Sequence, residues 1–156
     1  MLISQASDQL KSYDLCWLLH IVGDVHQPLH CCSRVTRSAP SGDGGGYLVK
    51  LTGKEQRLHL LWDAALGTDV SPESVISFVH TLGKANQKSA ADLDARDWIK
   101  EGHQIAIDKV YKEPIGPSEG PYAVTDSYKR MASKIARQRA LLAGERLARL
   151  LNETLK

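Results

Sequence analysis

The stretch His20-Ile21-Val22-Gly23-Asp24-Val25-His26-Gln27-Pro28-Leu29-His30 decides how this chain is read. It sets three histidines and a carboxylate directly behind an apolar run of Leu15, Trp17, Leu18 and Leu19. Residues four apart on an α-helix lie one above the other, so His20 and Asp24 project from one face. Pro28 biases Gln27 away from helical dihedrals, and the helix is expected to stop there. Leu29 and His30 then turn back towards His20 and Asp24. A helix donating two ligands, followed by a sharp exit donating a third, can build a metal cluster from one short segment. His26 faces elsewhere on the helix and reads as a structural residue or a support to a ligand. Cys16, one turn before His20, reads as a buried thiol acting as a small hydrophobe.

A second stretch, His59-Leu60-Leu61-Trp62-Asp63, repeats the i, i+4 pairing of histidine and aspartate beside Leu58, Leu61, Trp62 and Leu66. One such pair is common on solvated helix faces. Two pairs, each set in an apolar run with a tryptophan near, are not read as surface decoration. Imidazole nitrogen and carboxylate oxygen suit zinc, so the candidate ligands are His20, Asp24, His30, His59 and Asp63. Between the two stretches lies Gly42-Asp43-Gly44-Gly45-Gly46. Its glycines allow positive φ and a close backbone approach to a ligand.

The 156-residue chain as a whole reads as one helical domain with a sizeable core. Helices are expected over residues 7–25, 58–66, 71–83, 91–111 and 125–152, with a small β-hairpin where Tyr47–Leu51 meets the turn Thr52-Gly53-Lys54. The fold class is therefore all-α: a single-domain multi-helix bundle with one small β element. His80 and His103 read as structural, His103 as a hydrogen-bonded core residue. Lys129, Arg130, Lys134, Arg137, Arg139, Arg146 and Arg149 on the last helix read as a solvated basic face. A formal charge of +2 is too small to argue for nucleic acid or membrane by itself. No apolar run approaches the ~18 residues of a membrane span, and residues 1–11 lack a signal-peptide layout. Three cysteines, two of them adjacent, do not set a redox compartment.

These residues resemble a known family. His20-x-x-Gly23-Asp24-x-His26-Gln27-Pro28-Leu29-His30, glycines 44–46, Leu58-His59-x-x-Trp62-Asp63 and the closing Ala143-Gly144-Glu145-Arg146-Leu147-Ala148 are similar to the signature of the trinuclear-zinc, single-strand-specific nucleases of the S-one/P-one type, relatives of bacterial zinc phospholipase C. The resemblance implies that His20 and Asp24 bind one zinc, with Asp24 bridging to a second and serving catalysis. It implies that His30, His59 and Asp63 hold a third. Gly45, Gly46 and Tyr47 would bind substrate, although Tyr47 replaces the asparagine common in the nuclease loop; a tyrosine can stack on any base. Asp63 stands where the phospholipases place glutamate, which favours a nuclease. The family's remaining ligands, supplied by an N-terminal tryptophan, an early histidine and an upstream aspartate and histidine, have no counterpart here, so the chain is expected to lack an N-terminal portion. The implied activity is zinc-dependent hydrolysis of phosphodiester bonds in single-stranded DNA or RNA, with 3′-nucleotidase activity beside it, in a secreted or periplasmic protein. The alternatives are a truncated, non-catalytic zinc-binding helical domain and, more weakly, a zinc phospholipase C-like phosphodiesterase or a bundle whose histidines are all structural.

Overall fold

The structure is a computed structural model that describes residues 6–154. Helix α1, Asp8–Asp24, starts where the Ser7 hydroxyl accepts the Leu10 N–H, a side-chain cap for an otherwise unpaired backbone donor. It ends where expected. Gln27 is extended (φ −80°, ψ 120°), as a residue before proline must be, and Pro28 opens a 3-10 turn, Pro28–Cys31. A loop over the glycines leads to β1, Leu51–Thr52, and α2, Leu58–Asp63, which tightens into a 3-10 turn, Ala64–Leu66. Then come α3, Pro72–His80, short α4, Gln87–Ala90, and α5, Ala95–Ile105, which runs into a π-turn, Ala106–Val110. Strand β2, Tyr122–Ala123, precedes the long α6, Asp126–Thr154. The expected helix over 91–111 thus starts late, at Ala95, and ends in the π-turn. Asp94 caps a fresh start by accepting the Arg96 N–H, so the preceding turn is α4 on its own.

The β element is small, as expected, but its pairing is not local. β1 runs parallel to β2, Leu51 opposite Tyr122 and Thr52 opposite Ala123. Of the expected hairpin there remains a single antiparallel bridge, Lys50 to Arg57. The reason lies in residues 114–121, which return the chain beside Lys50: Lys50 N–H donates to the Glu119 carbonyl (2.7 Å), and the Lys50 carbonyl accepts from Tyr122 (3.0 Å).

The larger core joins Leu29, Val49, Leu58, Trp62, Val110 and Tyr128 around the centre of the molecule. Trp62 Nε1 donates to the Tyr128 hydroxyl (3.2 Å), which donates to the Val110 carbonyl (2.7 Å), so both buried polar groups are satisfied. A second cluster of Val22, Trp98 and Ala143 ties α1 and α5 to α6. Three expectations fail here. Cys16 is exposed, not buried. His103 is exposed, because α5 buries the face of Trp98 and Gly102 instead. Trp17, in the apolar run, and Tyr13 one turn before it stay exposed at 48% and 59%, since α1 seats its Val22 side.

The basic helix also departs from expectation. Arg139 and Arg146 are buried, Arg146 completely. Arg146 donates to both Glu101 oxygens (2.8 Å each), to the Ser89 carbonyl (3.0 Å) and to His26 Nε2 (2.9 Å); Arg139 donates to Glu101 Oε2 (2.7 Å) and to the His26 carbonyl (3.1 Å). Burial alone would raise the Glu101 carboxyl, but the hydrogen bonds and charges of Arg146 and Arg139 win and lower it to about 2. His26 is lowered to about 4, chiefly by burial, and so stays neutral. Its Nδ1–H donates to Val22 (2.7 Å), leaving Nε2 to accept from Arg146. This network clamps the segment between Asp24 and His30 against α5 and α6, in the supporting role expected of His26.

Candidate metal centre

Three local devices aim the histidines and carboxylates. α1 carries His20 above Asp24, with His20 Nε2 3.3 Å from Asp24 Oδ2. The proline-driven exit then brings His30 back, its Nδ1 3.5 Å from Asp24 Oδ1 and its Nε2 3.3 Å from Asp63 Oδ1. α2 supplies the second pair, His59 Nε2 3.3 Å from Asp63 Oδ2. The His30 and His59 rings lie nearly parallel, 5.1 Å apart. One ligand atom from each of His30, His59 and Asp63 falls within 4.8 Å of the other two. Donor atoms on a tetrahedral zinc shell with ~2.05 Å bonds sit about 3.3 Å apart, so the two histidine–carboxylate spacings already have the right scale. All five side chains expected as ligands are therefore brought to one end of α1 and α2.

The glycine loop orients His59. His59 Nδ1–H donates to the Gly45 carbonyl (2.9 Å), which fixes the tautomer and leaves Nε2 free for a cation. Gly45 is irreplaceable on two grounds: its φ is +63°, and a Cβ there would lie 2.4 Å from the Leu29 carbonyl oxygen. Tyr47 lies beside the centre, its ring 4.3 Å from that of His59 and 45% exposed. Gly46 is buried against Leu58 and Leu29, so it shapes the loop rather than facing a ligand.

Two supporting residues were quoted in the sequence without a role. Gln27 Nε2 donates to Asp63 Oδ1 (2.9 Å) while its Oε1 accepts the Leu29 N–H (2.5 Å), so one amide orients one candidate ligand and caps the turn carrying another. Its signal was its place next to Pro28, the position that caps a proline-started turn. Asp43, almost fully buried, accepts from the Arg34 N–H (3.0 Å), the Gly46 N–H (3.1 Å) and the Tyr111 hydroxyl (3.1 Å), with Arg34 Nε 3.6 Å from its other oxygen. It pins the glycine loop from behind. Burial pushes the Cys31 thiol up and the Cys32 thiol up to about 11.

A cavity of about 660 Å³ opens beside the centre, between α1, the glycine loop and α5. Asp24, His30 and His59 line its polar end, and Ile21, Val25 and Ile99 its apolar side. An open cleft with convergent polar groups at one end suits a ligand with an apolar body and a charged group.

Residues 2–156 match the family model described as S1/P1 Nuclease. No curated protein matches the chain, and no solved structure does.

Proposed function

The chain belongs to the S1/P1 nuclease family, and on that premise we propose that it hydrolyses phosphodiester bonds of single-stranded DNA or RNA at a zinc centre, with 3′-nucleotidase activity on nucleotides beside it. The observation that carries this reading is the convergence of His30, His59 and Asp63, with the His59 tautomer set by Gly45. The donor set fits zinc: two imidazoles and a carboxylate make a three-ligand site that keeps a coordination position open for substrate or water. His20 and Asp24 would hold a further ion, separate from the one held by His30, His59 and Asp63.

Zinc, when bound, polarises a phosphoryl oxygen and acidifies a water, and so provides the hydrolytic power near neutral pH. The chain's own residues do the positioning. Asp24, between His20 and His30, would help orient the attacking water. Gln27 holds the Asp63 carboxylate in place. Tyr47 offers its exposed ring to an unpaired base, and the apolar side of the cleft excludes water from the base's edge. A duplex cannot present a splayed base to that ring, which accounts for a single-strand preference. The same reading puts the protein's work in a secreted or periplasmic setting, as the resemblance implies. No helix among the described residues is long and apolar enough to cross a membrane.

One observation favours a second reading, a non-catalytic zinc-binding domain. Among the described residues, His30, His59 and Asp63 form the one group of three mutually close donors, whereas His20 and Asp24 reach a third only through His30. The test separates the readings. Zinc-loaded protein is incubated with a labelled single-stranded oligonucleotide and with its duplex. Cleavage of the single strand, lost in Asp24→Asn and on chelation, is the expected result. Bound zinc with no cleavage above the Asp24→Asn background establishes the second reading instead.

A further inference from the structure

On the other flank of α6 from the metal centre lies a groove of about 500 Å³ between α6 and the chain that leaves α3. Lys84, Arg130, Lys134 and Arg137 line it, and no carboxylate does. None of the four is in an ion pair among the described residues, unlike Arg139 and Arg146 on the same helix, which are spent on Glu101. In a chain whose formal net charge is only +2, four unneutralised cations around one concavity are a strong local excess. The groove is also held open. The Arg137 guanidinium stacks on the Phe78 ring, 4.6 Å from its centroid, and donates to the Thr81 hydroxyl, so the end of α3 is tied to α6.

We propose that this groove is a second anion-binding surface for the sugar-phosphate backbone of a single strand whose scissile segment occupies the metal centre. The proposal rests on the function proposed above. Arg130, Lys134 and Arg137 follow one stripe of α6, roughly 6 Å and then roughly 4.5 Å apart along its axis, so they track an elongated polyanion rather than enclosing a single phosphate. Ser133 and Gln138 between them add neutral donors for phosphate oxygens. A flat lipid surface would not use a concave groove with its cations on the walls. No base-specific contact is built in, so binding should be indifferent to sequence and strongly salt-dependent.

The test uses zinc-free protein, so binding is read without cleavage and independently of the metal centre. Affinity for a long labelled deoxythymidine oligomer is followed by anisotropy over a salt series, for the wild-type chain and for Lys84→Gln/Arg130→Gln/Lys134→Gln. Arg137 is left intact because it pins α3. The variant should bind at least tenfold more weakly at low salt. Its plot of log affinity against log salt should be shallower by about 2, since three phosphate contacts on a single strand contribute ~0.7 each. A variant removing the same charge elsewhere, at Lys11, Lys54 and Lys100, should bind as wild type. With zinc restored, the groove variant should still cleave a dinucleotide too short to reach the groove. Equal affinities and slopes for wild type and groove variant overturn the proposal. So does binding to phosphatidylserine vesicles in place of the oligomer. Groove-dependent binding in a protein that never cleaves would keep this proposal and refute the catalytic reading alone.

Discussion

Adding one methyl group at Gly45 should disturb the fold and the metal centre together. Gly44 and Gly45 share nearly the same backbone, φ +62° and +63°, so alanine pays the same left-handed penalty at either, ~1–2 kcal/mol. A Cβ at Gly44 meets only Tyr47 Cβ, at an ordinary 3.5 Å. At Gly45 it would lie 2.4 Å from the Leu29 carbonyl oxygen and 3.3 Å from that of Cys32. These are backbone atoms with no rotamer to yield, and relieving such overpacking costs about 1–3 kcal/mol more. Stiffening the unfolded chain returns about 0.4–1 kcal/mol in both variants. Gly44→Ala should therefore lose about 1 kcal/mol or less, and Gly45→Ala about 2–4 kcal/mol. The displaced atoms matter functionally, because Leu29 precedes His30 and the Gly45 carbonyl holds His59. Zinc affinity should fall at least tenfold in Gly45→Ala, the scale seen when support to a ligand is removed, and stay near wild type in Gly44→Ala. Urea denaturation of zinc-free protein reads the first effect, and competition with a chromophoric chelator the second. Equal stability losses in the two variants, or full zinc affinity in Gly45→Ala, would refute the reasoning.

Gln27→Leu removes the amide that orients Asp63 and caps the Pro28 turn, so zinc should bind roughly 10–100-fold more weakly, measured by the same competition. Stability should also depend on pH through the buried network. The unfolded chain protonates His26 near 6.5 while the fold resists until about 4, so stability present above 6.5 is lost as pH falls between those values. That loss is roughly 2 kcal/mol between pH 7 and 5 in zinc-free protein, and His26→Gln should lack that portion. Glu101 acts lower down: the unfolded carboxyl takes its proton near 4.5, the folded one near 2, so its contribution persists above 4.5 and disappears towards 2. Parallel stability–pH curves for wild type and His26→Gln between pH 7 and 5 would exclude the His26 assignment.

The sequence made the candidate ligand pairs readable because their geometry is local. His20–Asp24 and His59–Asp63 are helix pairs, and Pro28 announces where α1 must end. What could not be read depended on partners far along the chain. Arg139 and Arg146 look like the rest of a basic helix until Glu101 and His26 are placed beside them, since helical periodicity marks a face but not what covers it. Leu51 pairs with Tyr122 across a long excursion that no turn signal predicts. Tyr13 and Trp17 are apolar at helical spacing, yet spacing cannot say whether a neighbour arrives. Gln27 and Asp43 stand between these cases: both lie inside segments already singled out, and only the hydrogen bonds give them a role.

The most direct test of the account is zinc per chain, by elemental analysis, for the wild type and for Asp63→Ala after identical dialysis. The account predicts that the variant holds about one zinc fewer, because His30 and His59 alone are two ligands of a three-ligand site. Identical zinc content in the two proteins would contradict it and remove Asp63, and with it the centre as described, from the chemistry of this chain.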